Sequence, residues 1–245
     1  MISKKRYLEI FSLQVNTLKS YNQRLERLIE AIEEQKDGSL IVASEVFLTD
    51  FDYEHLEEAA TFGKEALSKL LKIVENKIVI FSLILKEENR FVNQSVVLSK
   101  NKIVHTQNKT KLFRLSNEHH HFLAGRREDI KPFEIDGVRY AILLCFELRF
   151  KDLWRQIEKA EVVVIPVKWG VARENHLVIL ATALAVMNQC FVVVCSDGDH
   201  QIAQVSIMIN PNGEILGNRQ TNGVSTTIDL QDIVKIRRYI SMEEG

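Results

Sequence analysis

The chain has 245 residues, of which 46% are hydrophobic and 27% are charged, and its formal net charge is -1. A chain of this length can bury a large core, and its near-neutral charge gives no basic footprint for nucleic acid or an anionic membrane surface. No apolar run reaches the length needed to cross a bilayer, and the basic start lacks an apolar signal core. The three cysteines are few, odd in number and without CxxC spacing, which argues against a disulfide framework or a zinc ribbon. We therefore predict a cytoplasmic protein.

Short apolar runs alternate with helical spacing of apolar residues along the first half of the chain. In chain order, we predict a strand at 7–15, a helix at 18–35, a strand at 40–45, a helix at 57–75, and strands at 77–85, 94–100 and 102–109. The helices are recognised by apolar residues that recur on one face, such as Leu25, Leu28 and Ile32 in the first. A tight turn is expected between the last two strands.

The second half repeats this alternation. It is predicted to contain a strand at 139–145, a helix at 150–159, a strand at 161–167, a helix at 174–189, a strand at 191–196, and further strands within 206–216 and 223–230. Strands that are apolar on both faces and interleaved with helices imply a sheet covered on each side, while the hairpins make it mixed. Three prolines and ten glycines leave no room for a long linker, so we predict one domain over residues 1–245.

Three chemically reactive side chains come at the ends of predicted strands: Glu45, Lys109 and Cys145. Ligand sites form beyond strand ends in sheets of this kind. Helix amides after Cys145 would favour its thiolate and could receive an oxyanion. Each residue also has a simpler explanation, because free cysteine is usually a core residue and Glu and Lys usually lie at the surface. The spacing alone therefore only suggests an acid, a base and a nucleophile.

The sequence lacks the common motifs of nucleotide-binding and metal-binding proteins. The sequence has no GxGxxG and no P-loop, so it lacks the usual phosphate cradle of dinucleotide or nucleotide triphosphate enzymes. His119, His120 and His121 are consecutive and cannot converge on one ion, and no HExxH accompanies them. We therefore predict no metal site, and interpret the histidines as part of a loop.

The motifs around the three reactive residues resemble those of the nitrilase superfamily of carbon–nitrogen hydrolases. Its catalytic motifs are similar to "SEVFLTDFD" with Glu45, "NKTKLF" with Lys109 and "CFELRF" with Cys145, in the same order. Glu118 in "EHHHFLAG" matches a second glutamate of that family. The resemblance extends through "WGVARENHLVILATALAVMNQCFVVV" and "SIMINPNGEIL", from about residue 8 to residue 229.

The resemblance implies an α/β fold, a four-layer α-β-β-α sandwich with mixed sheets, that pairs into a homodimer or larger homo-oligomer. It implies hydrolysis of small linear, non-peptide amides through a thioester, without a metal or organic cofactor. Glu45 is expected to be the general base and Cys145 the nucleophile. Lys109 and the backbone N–H of Phe146 are expected to stabilise the oxyanion, and Glu118 to orient Lys109 or the attacking water. The branch acting on ω-amides of dicarboxylates, or on N-carbamoyl amines, is favoured.

The loop "WGVAREN" is predicted to bind substrate through Trp169 and Arg173. Arg173 has no acidic neighbour in the sequence except Glu174, so we expect it to hold a carboxylate of the substrate. The alternative is a solvated loop arginine, which is the usual state of this residue type. A small amide is the expected partner, with no nucleic acid and no membrane.

Several positions depart from the family pattern. Asp50 stands where a glycine is usual, and Glu147 where an aspartate is commoner. Leu184 and Met187 replace an arginine and an acidic residue, and losing both charges together can be nearly neutral where losing one is not. Two alternatives from other classes remain open: a non-catalytic small-molecule binding or regulatory homologue, and an acyltransferase that uses the same thioester.

Overall fold

The computed structural model describes residues 5–15, 20–198, 201–220 and 222–242. The strands in these residues are β1 (Tyr7–Leu13), β2 (Leu40–Val42), β3 (Ile78–Glu87), β4 (Arg90–Ser99), β5 (Lys102–Asn108), β6 (Phe133–Ile135), β7 (Val138–Ile142), β8 (Val162–Pro166), β9 (Phe191–Cys195), β10 (Ile207–Ile209), β11 (Ile215–Leu216), β12 (Asn218–Gln220) and β13 (Gly223–Asp229). The α-helices are α1 (Tyr21–Glu34), α2 (Leu56–Leu70), α3 (Glu118–His121), α4 (Lys151–Gln156), α5 (Glu174–Met187) and α6 (Gln231–Tyr239).

The described strands form two sheets. One has seven strands in the order β12-β13-β1-β2-β3-β4-β5, and the other has six in the order β11-β10-β9-β8-β7-β6. The central strands β1, β2 and β3 run parallel, as do β7, β8 and β9, while the outer strands pair antiparallel. The prediction of mixed sheets is confirmed.

Alternate residues of the central strands face different cores, as the two-residue period of a strand requires. Val42 packs into the core between the two sheets, whereas Ile41 packs against α1 and α2. In the second sheet, Ile142 faces the core between the sheets and Ala141 packs with residues of α4 and α5. The order of layers is helix, sheet, sheet, helix, which confirms the predicted α-β-β-α sandwich.

The strand boundaries differ from the prediction where the chain enters the site. The strand predicted at 40–45 ends at Val42, and the one predicted at 139–145 ends at Ile142. Ala43 after β2, and Leu143 and Leu144 after β7, are still buried. The apolar pattern in the sequence therefore continues past the last residue of each strand. The backbone then turns through left-handed residues, Val46 at φ 42° and Cys145 at φ 54°.

The predicted helices are confirmed with shorter limits. The helix predicted at 18–35 spans Tyr21–Glu34, with the Ser20 hydroxyl accepting from the N–H of Gln23, and residues 18 and 19 lie outside the described residues. The helix predicted at 57–75 ends at Leu70, and the one at 150–159 is reduced to Lys151–Gln156. Four elements were not predicted because they are short or mostly polar: α3, α6, β6 and β12.

The two unusual residues of α5 lie in different environments. Leu184 is fully buried in the outer core, whereas 57% of Met187 is exposed. The loss of a polar pair as a unit stays a prediction, because Met187 lies at the surface of a single chain while Leu184 is buried within it. None of the described helices is both long enough and apolar enough to span a membrane.

Candidate active site

The ends of three strands bring the predicted triad together. Glu45 lies in the turn after β2, where the N–H of Val46 donates to the Ser82 hydroxyl. Lys109 directly follows β5, and its own N–H donates to the carbonyl of Asn93 on β4 at 2.8 Å. Cys145 follows β7 in the other sheet. The site therefore forms at the place where both sheets contribute loops.

The Lys109 ammonium lies between two carboxylates. Its Nζ is 2.7 Å from Oε1 of Glu45 and 2.8 Å from Oε1 of Glu118, and all three side chains are buried. The other oxygen of Glu118 accepts from the backbone N–H of Phe113 at 3.0 Å. A buried cation held by two hydrogen-bonded carboxylates is fixed in place, because moving it would leave uncompensated charge.

Glu45 is also held by a residue that the sequence did not reveal. Nδ2 of Asn93 donates to the same Oε1 atom at 2.9 Å, while Oε2 is buried and accepts no hydrogen bond from the described residues. Glu45 thus keeps one oxygen for Lys109 and Asn93 and has a second oxygen without a partner. Asn93 is followed by Gln94 and Ser95 in β4, so the sequence does not mark it out, and the predicted strand at 94–100 begins one residue after it.

Burial and the neighbouring charges set the protonation states. Burial raises the pKa of the Cys145 thiol well above its ordinary value, and the Glu45 carboxylate adds to this against the opposing effect of Lys109. Burial lowers the pKa of Lys109, but Glu45, Cys145 and Glu118 together outweigh it and leave the pKa raised. Burial also raises the pKa of Glu118. The resting site therefore contains a protonated thiol beside a charged ammonium.

Cys145 differs from the other two cysteines in access. It is 6% exposed and borders a small pocket of about 20 Å³, together with Phe146 and Trp169. Cys190 and Cys195 are fully buried in the apolar cores, and the Cys195 thiol donates to the carbonyls of Leu13 and Val42. Of the three thiols, Cys145 is the one that a ligand can reach.

Glu147 joins the two loops that carry Lys109 and Cys145. One carboxylate oxygen accepts from the N–H of Thr110 at 2.6 Å and from its hydroxyl at 2.9 Å, and the other accepts from the N–H of Leu144 at 2.7 Å. These donors lie immediately after Lys109 and immediately before Cys145. Sequence reasoning noted Glu147 only as a departure, although a charged residue between apolar neighbours was a usable signal.

A second group of charges surrounds Lys168 at the wall of the Cys145 pocket. Its Nζ is 2.7 Å from Asp50 and 3.2 Å from Asp197, and Arg24 contacts the same two carboxylates at 3.6 and 3.4 Å. Two cations thus face two anions. Asp50 has φ 56°, which explains why a glycine suits this position in the family.

The two residues predicted to bind substrate both border the Cys145 pocket. Trp169 is buried, and the guanidinium of Arg149 lies 4.5 Å from its ring centroid. Arg173 lies 5.0 Å from the ring centroid of Phe113. In the described part of the chain, neither Arg149 nor Arg173 forms an ion pair with a carboxylate, and burial followed by the charge of Arg173 lowers the pKa of Arg149. Arg149 was not singled out from the sequence.

Two local expectations need correction. Residues Cys145–Arg149 form a 3₁₀ turn, and α4 begins only at Lys151, so the amides next to the thiol belong to this turn and not to an α-helix. The three histidines belong to the one-turn helix α3, which positions Glu118, and His121 stacks on Tyr53 at 4.0 Å. Within the described ranges, no three His, Cys, Asp or Glu side chains are grouped as metal ligands would be.

Sequence comparisons identify proteins that this chain is similar to. The family model described as carbon-nitrogen hydrolase matches residues 12–238. The 2-oxoglutaramate amidase of Bacillus subtilis (strain 168) is 32% identical over 221 residues, which cover 85% of this chain and 85% of that protein. The omega-amidase YafV of Escherichia coli (strain K12) is 32% identical over 171 residues, covering 67% of this chain and 65% of that protein.

Solved structures show the same fold at lower identity. Nit3 of Saccharomyces cerevisiae, a member of branch 10 of the nitrilase superfamily, has a TM-score of 0.84 at 18% identity and covers 99% of this chain and 97% of its own. A mutant amidase from Nesterenkonia sp. AN1, with the acetamide moiety of fluoroacetamide added covalently at its active-site cysteine, has a TM-score of 0.77 at 17% identity, covering 96% and 94%. Because the family model spans nearly all of the sequence, the chain belongs to the carbon–nitrogen hydrolase family.

Proposed function

We propose that the protein hydrolyses small linear amides that carry a carboxylate, through a thioester formed on Cys145. The observation that carries this proposal is the buried contact of the Lys109 ammonium with Glu45 and Glu118, beside the one cysteine that a ligand can reach. Family membership makes the chain an amidohydrolase, and the charges of this site support the specific roles that follow.

The proposed reaction begins with a protonated thiol. When the sulfur attacks the amide carbon, a C–S bond forms and the thiol proton passes to the free oxygen of Glu45. The carbonyl oxygen becomes an oxyanion, which Lys109 and the backbone N–H of Phe146 stabilise. Donors of this kind are worth about 10²–10³ in rate each. Glu45 then returns the proton to nitrogen, the C–N bond breaks and ammonia or an amine leaves.

The second half of the reaction removes the acyl group. Glu45 takes a proton from water, the hydroxide attacks the thioester carbon, and the C–S bond breaks to give a carboxylic acid and the free thiol. Glu118 keeps Lys109 oriented in both halves, because it occupies a second donor of the ammonium. In each half of the reaction Glu45 therefore first accepts a proton, from the thiol or from water, and then returns it, to the leaving nitrogen or to the sulfur.

The proposed substrate carboxylate binds at Arg149 and Arg173. These two guanidinium groups face the pocket at Cys145 and lack a described carboxylate partner, so an anionic substrate group would relieve their mutual repulsion. Trp169 holds Arg149 by a cation–π contact. The names of the 2-oxoglutaramate amidase and omega-amidase relatives support an ω-amide of a dicarboxylate as the substrate class.

Ammonia release tests this function against its two alternatives. We expect ammonia and a carboxylic acid from a terminal amide of a dicarboxylate, and none with Cys145→Ala. An acyltransferase would make a new amide when an amine acceptor is added, and would release little free acid. A binding homologue would release nothing from any amide, nitrile or carbamoyl compound in the panel, which would contradict the proposal.

Substitution of Arg173 tests the carboxylate site. Arg173→Ala is expected to raise KM for glutaramate about 10- to 100-fold, because a charge-assisted hydrogen bond contributes roughly 1.5–3 kcal/mol. The KM for a neutral amide of the same length should change little. Arg126→Ala is the control, since Arg126 is exposed and pairs with Asp129 away from the site. An equal increase in KM for both amides would show that Arg173 does not bind the substrate carboxylate.

We also propose that the chain forms a homodimer or larger homo-oligomer through α5. This helix is apolar on its outer side as well as its inner side, and Ile179, Val186 and Met187 are all largely exposed there. A helix that is hydrophobic on every side is normally buried on every side. A second copy of the same chain would cover this face.

Light scattering after gel filtration tests this association. Ile179→Lys is expected to lower the measured mass to that of one chain or to weaken the assembly strongly. Ile103→Lys, at an exposed position on β5, should leave the mass unchanged. A wild-type protein that elutes as a monomer would contradict the proposal.

The remaining proposals concern the whole chain. We propose that residues 1–245 form a single carbon–nitrogen hydrolase domain that works in the cytoplasm. The match of the family model to residues 12–238 and the three free cysteines support this. Limited proteolysis that yields a stable, active fragment would contradict the first proposal, and cell fractionation would test the second.

A further inference from the structure

Glu147 is a fully buried carboxylate that takes no part in the proposed proton transfers. It forms no ion pair with a cation among the described residues, so hydrogen-bond donors hold its charge. A buried charge without a partner of opposite sign is costly unless such donors surround it. Burial raises the pKa of Glu147, and the N–H groups of Thr110 and Leu144 counteract this effect. An apolar side chain would fill the same space without that cost, so we looked for what the carboxylate does.

One oxygen of Glu147 closes the turn around the nucleophile. Oε2 accepts from the N–H of Leu144 at 2.7 Å, and the carbonyl of Leu144 accepts from the N–H of Glu147 at 3.1 Å. Cys145 and Phe146 are the two residues between them. Cys145 has φ 54°, in the left-handed region that a residue with a side chain rarely adopts. Glu147 therefore holds the strained backbone that presents the Cys145 thiol and the Phe146 N–H.

The other oxygen reaches the loop that carries Lys109. Oε1 accepts from the N–H of Thr110 at 2.6 Å and from its hydroxyl at 2.9 Å, so it fixes the residue that directly follows Lys109. Gln107 on β5 also donates to the carbonyl of Ile142 on β7 at 3.2 Å, but this contact joins the strands and not the loops beyond them. The Glu147 carboxylate is thus the link nearest to the reactive groups of the two sheets.

We propose that Glu147 is a positioning residue that fixes the relative placement of the two oxyanion donors, the Lys109 ammonium and the Phe146 N–H. This inference rests on the proposed function, in which both donors bind the same oxygen. The first N–H groups of a 3₁₀ turn have no acceptor within the turn, so the Phe146 N–H is available to that oxygen. The two donors belong to loops of different sheets, and misplacing a catalytic group by about 1 Å can cost about 10² in rate.

Glu147→Gln tests the proposal, because glutamine has one oxygen and one NH₂ group in place of two oxygens. It can accept on the Thr110 side or on the Leu144 side, but not on both. We expect kcat for glutaramate to fall about 10-fold or more with little change in KM, because the donors act on charge that develops in the transition state. Alkylation of Cys145 by iodoacetamide forms no oxyanion, so its rate should change less than about 3-fold.

Glu161→Gln is the matched control. Glu161 is also a buried carboxylate that accepts from a backbone N–H, that of Arg139 at 3.0 Å. It lies just before β8, at the opposite end of the sheet from Cys145. We expect Glu161→Gln to lower the melting temperature and to leave kcat unchanged.

A milder variant keeps the test decisive if Glu147→Gln does not fold. Thr110→Val removes the hydroxyl donor to the carboxylate and keeps the backbone N–H. It should lower kcat about 3-fold or more, as the loss of one hydrogen bond allows. An unchanged kcat in Thr110→Val would overturn the inference.

The other outcomes separate this inference from the proposed function. If the wild-type protein hydrolyses glutaramate, an unchanged kcat in Glu147→Gln would overturn the inference and leave the proposed function standing. A fall in kcat that the alkylation rate matches would also overturn it, because Glu147 would then serve only the fold.

An aldehyde decides the inference even without turnover. A wild-type protein that hydrolyses no amide would contradict the proposed function. Glutarate semialdehyde would still add the Cys145 sulfur to its carbonyl carbon, with the thiol proton passing to the carbonyl oxygen that the two donors bind. Its Kd is expected to rise about 10-fold or more in Glu147→Gln, and an equal Kd in both proteins would overturn the inference.

Discussion

Replacement of Glu45 by glutamine is expected to trap an acyl group on Cys145. The glutamine oxygen can still accept from Lys109 and Asn93, and its amide group takes the place of the unpartnered Oε2. The site should therefore stay folded while its base is lost, and loss of a general base costs about 10²–10⁴ in rate. Thiolate can still form slowly as the pH rises, so acylation continues and hydrolysis of the thioester stalls.

Intact-protein mass spectrometry measures this result. After incubation with glutaramate, Glu45→Gln should gain the mass of one acyl group, and peptide mapping should place it on Cys145. Burial still raises the pKa of the thiol when Glu45 is replaced, so adduct formation should accelerate as rising pH increases the thiolate fraction. If Glu45→Gln never accumulates an adduct while a Lys109 variant does, the assigned roles of the two residues are wrong.

Replacement of Lys109 by methionine is expected to abolish acylation itself. It removes an oxyanion donor and the positive charge that favours the thiolate. It also leaves Glu45 and Glu118 facing each other in a buried site, which should lower the free energy of unfolding by about 3–5 kcal/mol. No adduct should appear on Cys145, and kcat/KM should fall by at least about 10²-fold.

A double variant separates catalysis from stability. Lys109→Met combined with Glu118→Gln removes one of the two uncompensated carboxylates, so its melting temperature should recover part of the loss. It should still form no adduct, because the donor to the oxyanion is absent. Acylation in the double variant would show that Lys109 serves only to stabilise the fold.

The fold could be predicted from the sequence where its pattern is periodic. The apolar strands β3, β8 and β9 and the helices α1 and α5 were recognised, since burial on one or both faces leaves a regular pattern. The strand ends at Val42 and Ile142 could not be predicted, because residues 43 and 143 remain buried after the ladder has ended. Short or polar elements such as β12 carry no periodic signal.

The candidate site was recognised from motifs, and the structure adds the contacts that motifs cannot specify. Glu45, Lys109 and Glu118 meet although up to 73 positions separate them in the chain, so only the sheets can bring them together. The roles of Asn93 and Glu147 depend on hydrogen bonds between loops of different strands. Arg149 is a candidate substrate-binding residue because it lies close to Arg173 at the same pocket. The two residues are far apart in the sequence, so this proximity could not be predicted.

Cysteine labelling tests most directly the claim that Cys145 is the nucleophile. With limited iodoacetamide, we expect Cys145 to be alkylated first and activity to fall in parallel. Cys190 and Cys195 should stay unmodified because both are fully buried in the apolar cores, whereas Cys145 borders a pocket that the reagent can enter. Alkylation of Cys190 or Cys195 ahead of Cys145, with activity retained, would contradict the account.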